Sequence, residues 1–378
     1  MVNNLFTKIM HFSLLHNTSA DKNPEALYMQ RCLQLAANGR ISCSPNPMVG
    51  ALVVHQNTII GEGWHHSAGK AHAEPQAIKS VKNRELLKES TLYVNLEPCS
   101  HFGKTPPCTD LIIEKKIPRV VIACPDPFPG VCGKGIAKLK AAGIEVELGL
   151  EAEAANYLNK SFFCYYQKQR PYIVLKWAQT ADAYSDYIRQ PGDGQKPLQI
   201  SSAYSRMLVH KLRAESDAIM IGSRTALLDN PRLTLRHWPG RHPLRIVMDR
   251  QNTLSKDSLL LNDELPSLIF TENFSDRRGN KEWLALTGHN SGSMLEDVLA
   301  VLHARDVHSL LVEGGSTLQK AFLDAGLWDE IQTETWHHTI KNGHRALRIP
   351  EDQLKACSIT STSIPSENRT ITHYLRKH

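Results

Sequence analysis

The most informative segment of the chain is Leu96-Glu97-Pro98-Cys99-Ser100-His101-Phe102-Gly103-Lys104-Thr105-Pro106-Pro107-Cys108, and His72-Ala73-Glu74 precedes it. Together the two segments offer one imidazole, two thiols and a carboxylate that need not bind metal. Three protein ligands leave the fourth position of tetrahedral zinc to water, as in catalytic zinc sites. We therefore predict a Zn²⁺ ion held by His72, Cys99 and Cys108, with Glu74 as a proton relay.

Prolines beside these groups predict helix N-termini. Pro75 is tolerated only in the first turn of a helix, and Pro98 and the Thr105-Pro106-Pro107 cluster predict two more helix starts. Cysteines at helix N-termini lie at the positive end of the dipole, which favours the thiolate that zinc requires. The alternatives are two buried free thiols or a purely structural zinc module, although a closed structural site would want a fourth ligand in place of Glu74.

Length and composition restrict the class of protein. The 378 residues predict two to three domains, and 41% hydrophobic and 22% charged residues are ordinary globular values. The net charge of +6 is scattered, which suits a phosphorylated small ligand better than a polyanion. No apolar run is long enough to span a membrane, and eight cysteines in so long a chain favour a reducing compartment, hence the cytoplasm. Residues 1–23 are predicted to be a disordered or adventitious extension.

Strand-length apolar runs alternate with helix-period segments, which predicts α/β layers. Strands are predicted at 49–55, 58–61, 91–96, 119–124, 144–148, 172–177, 218–222, 244–249, 267–271 and 309–313. Helices are predicted at 26–38, 134–142, 151–163, 203–215, 293–305 and 316–324. The charged, proline-stopped segment 167–171 suits a joint, so we place two domains at 24–169 and 170–378.

The segment 96–108, together with Ser44-Pro45-Asn46-Pro47-Met48-Val49-Gly50 and His72-Ala73-Glu74, resembles the deaminase half of the bifunctional RibD family of riboflavin biosynthesis. Eight residues separate the two cysteines, whereas nucleic-acid base deaminases have P-C-x-x-C. The resemblance runs from about residue 24 to the C-terminus. It implies a cytidine-deaminase-like α/β/α domain acting on 2,5-diamino-6-(5-phosphoribosylamino)pyrimidin-4-one, whose 2-amino group is replaced by oxygen.

Six residues are candidates for binding the deaminase substrate: Asn46, His65, His101, Lys104, Thr105 and Asp126. His101, Lys104 and Thr105 offer donors for a phosphoribosyl group, and Asn46, fixed between two prolines, could bind the pyrimidine edge with help from His65. The alternatives are that Asn46 only caps a turn and that His65 is solvated. Asp126 matches a ligand-contacting position of the family, but Phe128 replaces the family's usual asparagine.

Three features of the second half suggest a site. Lys176 lies in an apolar strand, where a buried ammonium needs a partner unless the strand is at an edge and the lysine reaches solvent. Segment 218–236 combines a strand with a basic loop suited to an anion. Segment 310–318 is a strand, a glycine pair and a helix start, whose free N–H groups can hold a diphosphate, although the glycines alone are also typical of a tight turn.

The order of these features resembles the reductase half of the same family, which implies a dihydrofolate-reductase-like α/β fold, NADPH and reduction of the ribosyl group to ribityl. No G-x-G-x-x-G motif supports a standard dinucleotide site. The residues that match the family's cofactor contacts are Ala178, Thr225, Asp229, Arg250, Gly315, Ser316, Thr317 and Leu318. Those that match its substrate contacts are Arg213, Leu233, Arg236 and Glu313.

The chemistry of the second half rests on few residues. Arg213 and Arg236 could hold the substrate phosphate and Arg250 the 2′-phosphate of NADPH. Lys176 and Asp229 are both candidates to polarise the carbonyl and supply a proton, and the choice between them stays open. The chain departs from the family at Ala183, where the family has a glycine, and at Gln199, where it has a tryptophan.

The leading hypothesis is a bifunctional enzyme with one Zn²⁺ per chain and NADPH as cofactor. Its partner is a small phosphoribosyl-aminopyrimidine, neither a nucleic acid nor a membrane, and the resemblance suggests a homodimer. One alternative is a deaminase with a degenerate reductase half. Another is a nucleic-acid base deaminase whose C-terminal half grips RNA, which would predict clustered basic residues with interleaved aromatics.

Overall fold

The computed structural model describes residues 23–102, 106–286 and 293–377. The chain divides into two compact units, of which the first ends at Lys168 and the second begins at Gln169. Lys104, Thr105 and residues 1–22 of the predicted extension lie outside the described residues. Within the described ranges no helix has the length and apolar character needed to cross a bilayer.

The first unit contains one five-stranded sheet in the order β2-β1-β3-β4-β5. Its strands are β1 (Gly50–His55), β2 (Thr58–Trp64), β3 (Thr91–Val94), β4 (Arg119–Ile122) and β5 (Glu145–Leu148). Its α-helices are α1 (Pro24–Ala36), α2 (Ala73–Ser80), α3 (Cys108–Glu114), α4 (Lys134–Ala141), α5 (Ala152–Leu158) and α6 (Lys160–Lys168). Strand β1 is antiparallel to both neighbours, whereas β3, β4 and β5 run parallel.

Both faces of this sheet are buried. Successive side chains of a strand point to opposite faces, and in β1 both sets are apolar. Ala51 and Val53 pack in one core with α2, α3 and α4, whereas Leu52 and Val54 pack in the other with α1, α5 and α6. The result is a three-layer α/β/α unit.

The predicted turn between β1 and β2 has the left-handed backbone expected of a two-residue hairpin, with φ of 45° at Gln56 and 60° at Asn57.

The predicted helix 151–163 is wrong, because the structure has two helices that are interrupted at Asn159. The buried side chain of Asn159 accepts a hydrogen bond from the Met48 N–H at 2.8 Å and donates one to the Met48 carbonyl at 2.9 Å. Asn159 thus binds the loop before β1 and holds the segment that carries Asn46 against the helical layer.

The second unit contains a ten-stranded sheet in the order β11-β12-β10-β9-β8-β13-β6-β14-β17-β16, and a small β15-β7 pair. Its strands are β6 (Tyr172–Thr180), β7 (Tyr184–Asp186), β8 (Ala218–Gly222), β9 (Leu244–Met248), β10 (Ser267–Thr271), β11 (Asp276–Arg278), β12 (Lys281–Ala285), β13 (Ser309–Gly314), β14 (Glu330–Trp336), β15 (His344–Arg345), β16 (Cys357–Ile364) and β17 (Arg369–Arg376). Its α-helices are α7 (Ala203–Ala214), α8 (Ser223–Asp229), α9 (Met294–Ala304), α10 (Ser316–Asp324) and α11 (Glu351–Lys355).

The seven strands from β12 to β14 are parallel, so their carboxyl ends meet at one edge of the sheet. One face packs on α9 and α10 through a large core that includes Phe322 and Trp328. Strand β6 lies between β13 and β14 in the interior of the sheet. The edge-strand alternative for Lys176 is therefore wrong.

Candidate active sites

The structure brings the three predicted metal ligands together. The side-chain donors of His72, Cys99 and Cys108 all lie within 4.8 Å of one another, and His72 Nδ1 is 3.5 Å from Cys99 Sγ and 3.3 Å from Cys108 Sγ. Tetrahedral zinc, with Zn–S of about 2.3 Å and Zn–N of about 2.0–2.1 Å, requires nitrogen–sulfur separations of about 3.6 Å. Both the donor types and their spacing fit zinc.

Two helix ends position these donors. His72 is the N-cap of α2, and Cys108 is the first residue of α3. No helix begins at Pro98, so that prediction is wrong, and Cys99 lies in the irregular segment after β3. Cys99 still lies at a helix N-terminus, because its Sγ accepts the unused N–H of Cys108 at 3.4 Å. This contact stabilises a thiolate at Cys99.

Glu74 lies in the first turn of α2 and is only 3% exposed. Burial raises the pKa of its carboxyl group, and the neighbouring His72 opposes part of that shift. The pKa of Cys99 is lowered to about 4, chiefly because Cys108 donates to it, whereas that hydrogen bond and burial raise the pKa of Cys108 well above its usual value. A carboxyl group that readily takes up a proton thus lies beside the metal donors.

Asn46 and His65 lie next to this group. The Asn46 side-chain nitrogen is 3.0 Å from His65 Nε2, and His65 Nδ1 is 3.1 Å from the Ala71 carbonyl oxygen. The ring of His65 meets that of His72 edge to face at 5.5 Å. Because His65 is 3% exposed and both its nitrogens have protein partners, the alternative of a solvated His65 is wrong.

Asp126 and His101 lie on the cysteine side of the site. Asp126 is buried, and burial raises its pKa to about 6, with charges on Glu97 and Cys99 adding to the shift. The Asp126 carboxylate accepts the Phe128 N–H at 2.8 Å. His101 is exposed, and its ring centre lies 6.2 Å from that of Phe128. Phe128, which replaces the family's asparagine, thus belongs to the same wall as Asp126 and His101.

Glu97 is a residue whose role the sequence analysis missed. Its carboxylate is 4% exposed and accepts four backbone N–H groups, from Asp126, Gly133, Gly135 and Ile136, at 2.9–3.2 Å. A Cβ on Gly135 would lie 2.1 Å from the Pro98 carbonyl oxygen, so the two segments approach as closely as only glycine allows. The signal in the sequence was an acidic residue directly after an apolar strand, together with two glycines, at 133 and 135, whose N–H groups can approach a carboxylate closely.

In the second unit a cavity of about 260 Å³ lies at the carboxyl ends of β6 and β13. Segment 198–201 and residues 346–347 complete its wall. The predicted residues that line it are Lys176, Ala178, Glu313, Gly315 and Ser316. The structure therefore joins one candidate proton donor, one substrate residue and part of the predicted cofactor segment in a single cavity.

A layer of charged side chains lies beside this cavity. Arg213 donates to Glu313 through Nε at 2.7 Å and Nη2 at 2.6 Å, and its Nη1 donates to the Thr234 carbonyl. Burial lowers the pKa of Lys176, and the charges of Glu313 and Glu334 oppose that shift. Burial also disfavours the charge of Glu313, but Arg213 together with the charges of Lys176 and His210 lowers the pKa of Glu313. Arg213 is thus held by Glu313 through two N–H groups, and its assignment to the substrate phosphate stays a prediction.

Glu334, which the sequence analysis missed, closes this layer. It is 3% exposed and accepts hydrogen bonds from Ser201 Oγ at 2.5 Å and Ser205 Oγ at 2.6 Å. Arg369 lies 3.3 Å from its carboxylate. Only the tertiary fold brings these four residues together, so no local pattern could have indicated the cluster.

Other predicted residues do not line the cavity. Asp229 forms a 2.6 Å ion pair with Arg189, a residue that is 3% exposed. Arg250 is largely exposed and pairs with Glu272. Lys176, and not Asp229, is therefore the proton-donor candidate that lies in the cavity wall.

The remaining predicted contacts spread around the strand ends. Thr225 lies close to Gly315, whose added Cβ would meet its Oγ1 at 3.5 Å. Leu233 is buried, Arg236 is exposed, and the first turn of α10 carries exposed Thr317 and buried Leu318. The glycine pair does lead from β13 into α10, as predicted, with Gly315 at φ 86°.

Both departures from the family have visible consequences. Ala183 adopts φ 61°, a left-handed conformation that glycine takes without strain. Gln199 lies in the cavity wall, so an amide stands where the family offers an aromatic face.

Comparison with known proteins identifies both units. Residues 22–124 match the cytidine and deoxycytidylate deaminase zinc-binding region, and residues 171–334 match the RibD C-terminal domain. The RNA-binding alternative needed the C-terminal half to grip RNA, whereas the second match assigns that half to a reductase family. Riboflavin biosynthesis protein RibD of Aquifex aeolicus is 41% identical over 318 residues, 82% of this chain and 85% of that protein. The RibD protein of Escherichia coli is 37% identical over 324 residues, with shares of 80% and 85%.

Solved structures agree over the length of the chain. Acinetobacter baumannii RibD matches with a TM-score of 0.81 and 30% identity, over 94% of this chain and 99% of that one. A diaminohydroxyphosphoribosylaminopyrimidine deaminase/5-amino-6-(5-phosphoribosylamino)uracil reductase from Thermotoga maritima matches with a TM-score of 0.82 and 35% identity, over 93% and 99%. The predicted fold, a cytidine-deaminase-like unit followed by a dihydrofolate-reductase-like unit, is confirmed. The chain belongs to the riboflavin biosynthesis protein RibD family.

Proposed function

We propose that this chain catalyses two consecutive reactions of riboflavin biosynthesis. The first unit hydrolytically deaminates 2,5-diamino-6-(5-phosphoribosylamino)pyrimidin-4(3H)-one, and the second reduces the ribosyl group of the product to ribityl with NADPH. The observation that carries the proposal is the cluster of His72, Cys99 and Cys108 with buried Glu74 beside it.

In the deaminase, His72, Cys99 and Cys108 would hold Zn²⁺, which when bound supplies Lewis acidity that makes water nucleophilic near neutral pH. Glu74 takes a proton on its carboxylate and returns it to the departing amine as general acid. Its burial raises its pKa and favours the protonated form, which makes the first transfer, the uptake of the proton from water, easier. Asp126 and exposed His101 are proposed to contact the rest of the substrate from the cysteine side.

In the reductase, NADPH when bound supplies a hydride to the carbonyl carbon of the opened ribosyl group. Lys176 is proposed to donate the accompanying proton to the carbonyl oxygen, and burial, which lowers its pKa, makes that donation easier. Glu313, fixed by Arg213, keeps a counter-charge beside the ammonium group. The free N–H groups at the start of α10 suit the diphosphate of the cofactor.

The proposal extends to the setting of the enzyme. We propose a cytoplasmic homodimer, because the free cysteines among the described residues suit a reducing compartment and because the family resemblance suggests a dimer. Sedimentation of the purified chain tests the oligomeric state directly.

The decisive experiment incubates the pure protein with the diaminopyrimidine ribotide, with and without NADPH, and follows ammonia release and NADPH oxidation separately. We expect ammonia release in both samples and NADPH oxidation only after deamination. A protein that releases no ammonia with stoichiometric zinc bound would overturn the proposed deaminase.

A second candidate, a deaminase with a degenerate reductase half, is favoured by one observation. Gln199 stands in the cavity wall in place of the family's tryptophan and removes a stacking surface. Ammonia release without NADPH oxidation would support this candidate and refute the bifunctional proposal.

A further inference from the structure

We propose that His65 is a positioning residue, which fixes the Asn46 amide so that its carbonyl oxygen accepts an N–H from the pyrimidine edge of the substrate. The inference rests on the proposed deaminase function and names the edge that the site recognises. It reassigns His65 from a substrate contact to a residue that acts through Asn46.

The first step is to determine which nitrogen of the neutral His65 ring carries the hydrogen. Its Nδ1 lies 3.1 Å from the carbonyl oxygen of Ala71, and a carbonyl can only accept a hydrogen bond. Nδ1 must therefore carry the proton. In a neutral imidazole the other nitrogen is then an acceptor, so His65 Nε2 presents a lone pair.

The second step is the orientation of the amide. An acceptor at His65 Nε2, 3.0 Å away, can be met only by the Asn46 NH₂ group. A flipped amide would set its carbonyl oxygen against the lone pair and lose the hydrogen bond. Asn46 Oδ1 accepts no hydrogen bond within the described ranges 23–102, 106–286 and 293–377, and Asn46 is half-buried. The amide therefore offers its acceptor, and not its donor, to a ligand.

The third step is the location of that acceptor. The His65 ring meets the His72 ring at 5.5 Å, so Asn46 is one side chain removed from a metal donor. The carbon that loses its amino group must come to the metal donors. In a 2-aminopyrimidin-4(3H)-one the carbon that carries the amino group lies between two ring nitrogens, and one of them, N3, carries a hydrogen. In a cytosine the ring nitrogen next to the amino-bearing carbon carries only a lone pair. An acceptor at Asn46 therefore matches the N3–H of the first edge, a donor that the cytosine edge lacks.

The test combines two His65 variants with Asn46→Ala. His65→Gln retains a side-chain oxygen that can accept from Asn46, whereas His65→Met matches its size and removes the acceptor. We expect His65→Met to raise KM for the ribotide about tenfold, the effect of one misplaced hydrogen bond, with kcat within about twofold of wild type. His65→Gln stays close to wild type, and zinc content is unchanged in both variants.

The double mutant separates positioning from a merely structural role. If His65 acts through Asn46, adding His65→Met to Asn46→Ala changes kcat/KM no further. Independent losses that multiply in the double mutant, or a His65→Gln variant as impaired as His65→Met, would overturn the inference while ammonia release by wild type still supports the deaminase. A wild-type protein without ammonia release would overturn the proposed function and this inference with it.

Discussion

Replacing Glu97 by glutamine converts one carboxylate oxygen into an NH₂ group at a point where four backbone N–H groups converge. Oε2 accepts from Asp126 at 3.2 Å and from Gly133 at 3.0 Å, and Oε1 accepts from Gly135 at 2.9 Å and from Ile136 at 3.2 Å. Whichever oxygen becomes nitrogen, two N–H groups lose their acceptor and face another donor.

The magnitude follows from this count. A buried donor left without its partner costs about 1–3 kcal/mol, so two such donors cost about 2–6 kcal/mol, and partial rearrangement of the loop reduces the loss to about 3 kcal/mol. For a unit of this size that loss lowers the melting temperature by about 6–12 °C. Because the same hydrogen bonds hold Asp126, we also expect a higher KM for the deaminase substrate.

Calorimetry of the zinc-saturated protein measures the stability loss, and peptide-level hydrogen exchange locates it, with faster exchange expected in segment 126–136. Glu114→Gln makes the same chemical change at an exposed surface pair and should alter the free energy of unfolding by less than about 1 kcal/mol. A Glu97→Gln protein as stable as Glu114→Gln, with unchanged exchange in 126–136, would refute the assignment of Glu97 as the anchor of this loop.

Three further predictions concern the two sites. Glu74→Gln should retain zinc yet stop ammonia release, whereas His72→Ala should lose both; full activity of Glu74→Gln would contradict its proton relay. Chelation of zinc should abolish ammonia release but leave NADPH oxidation with the deaminated intermediate, because the metal-ligand cluster among the described residues lies in the first unit. Ala183→Gly should raise the melting temperature of the second unit by about 1–3 °C, since relief of about 1–2 kcal/mol of left-handed strain exceeds the entropic cost of glycine. Asn252→Gly, at φ 54°, is the control and should give no gain, because asparagine tolerates this conformation.

The zinc site could be predicted from sequence because its chemistry is local. His72 and Glu74 share one helix start, and the proline cluster before Cys108 marks another. The ligand types indicated zinc, and the helix starts indicated the position of His72 and Cys108 in the fold. Cys99 was placed at a helix start of its own, whereas it lies at the N-terminus of α3 because its sulfur accepts the first N–H of that helix.

The last part of the fold was not predictable in this way. Strand β16 (Cys357–Ile364) is exposed at the six positions between its two ends, so its sequence lacks the apolar alternation that marks a half-buried strand. It exists because β17 pairs with it along its whole length and with β14 on the other side. Pairing between distant segments, and not local propensity, decides such a strand.

The partners of buried charges also could not be predicted from the sequence. Sequence indicates that a lysine within an apolar strand needs a counter-charge, but it cannot name the partner, because a partner is chosen by tertiary register. In the structure Glu313 lies on the strand next to Lys176, and Arg213 from α7 binds Glu313 with two hydrogen bonds. The arginine that the sequence analysis assigned to a phosphate thus also binds a buried carboxylate. Since breaking such a buried pair costs about 3–5 kcal/mol, the pair is part of the framework that sets the charge of Lys176.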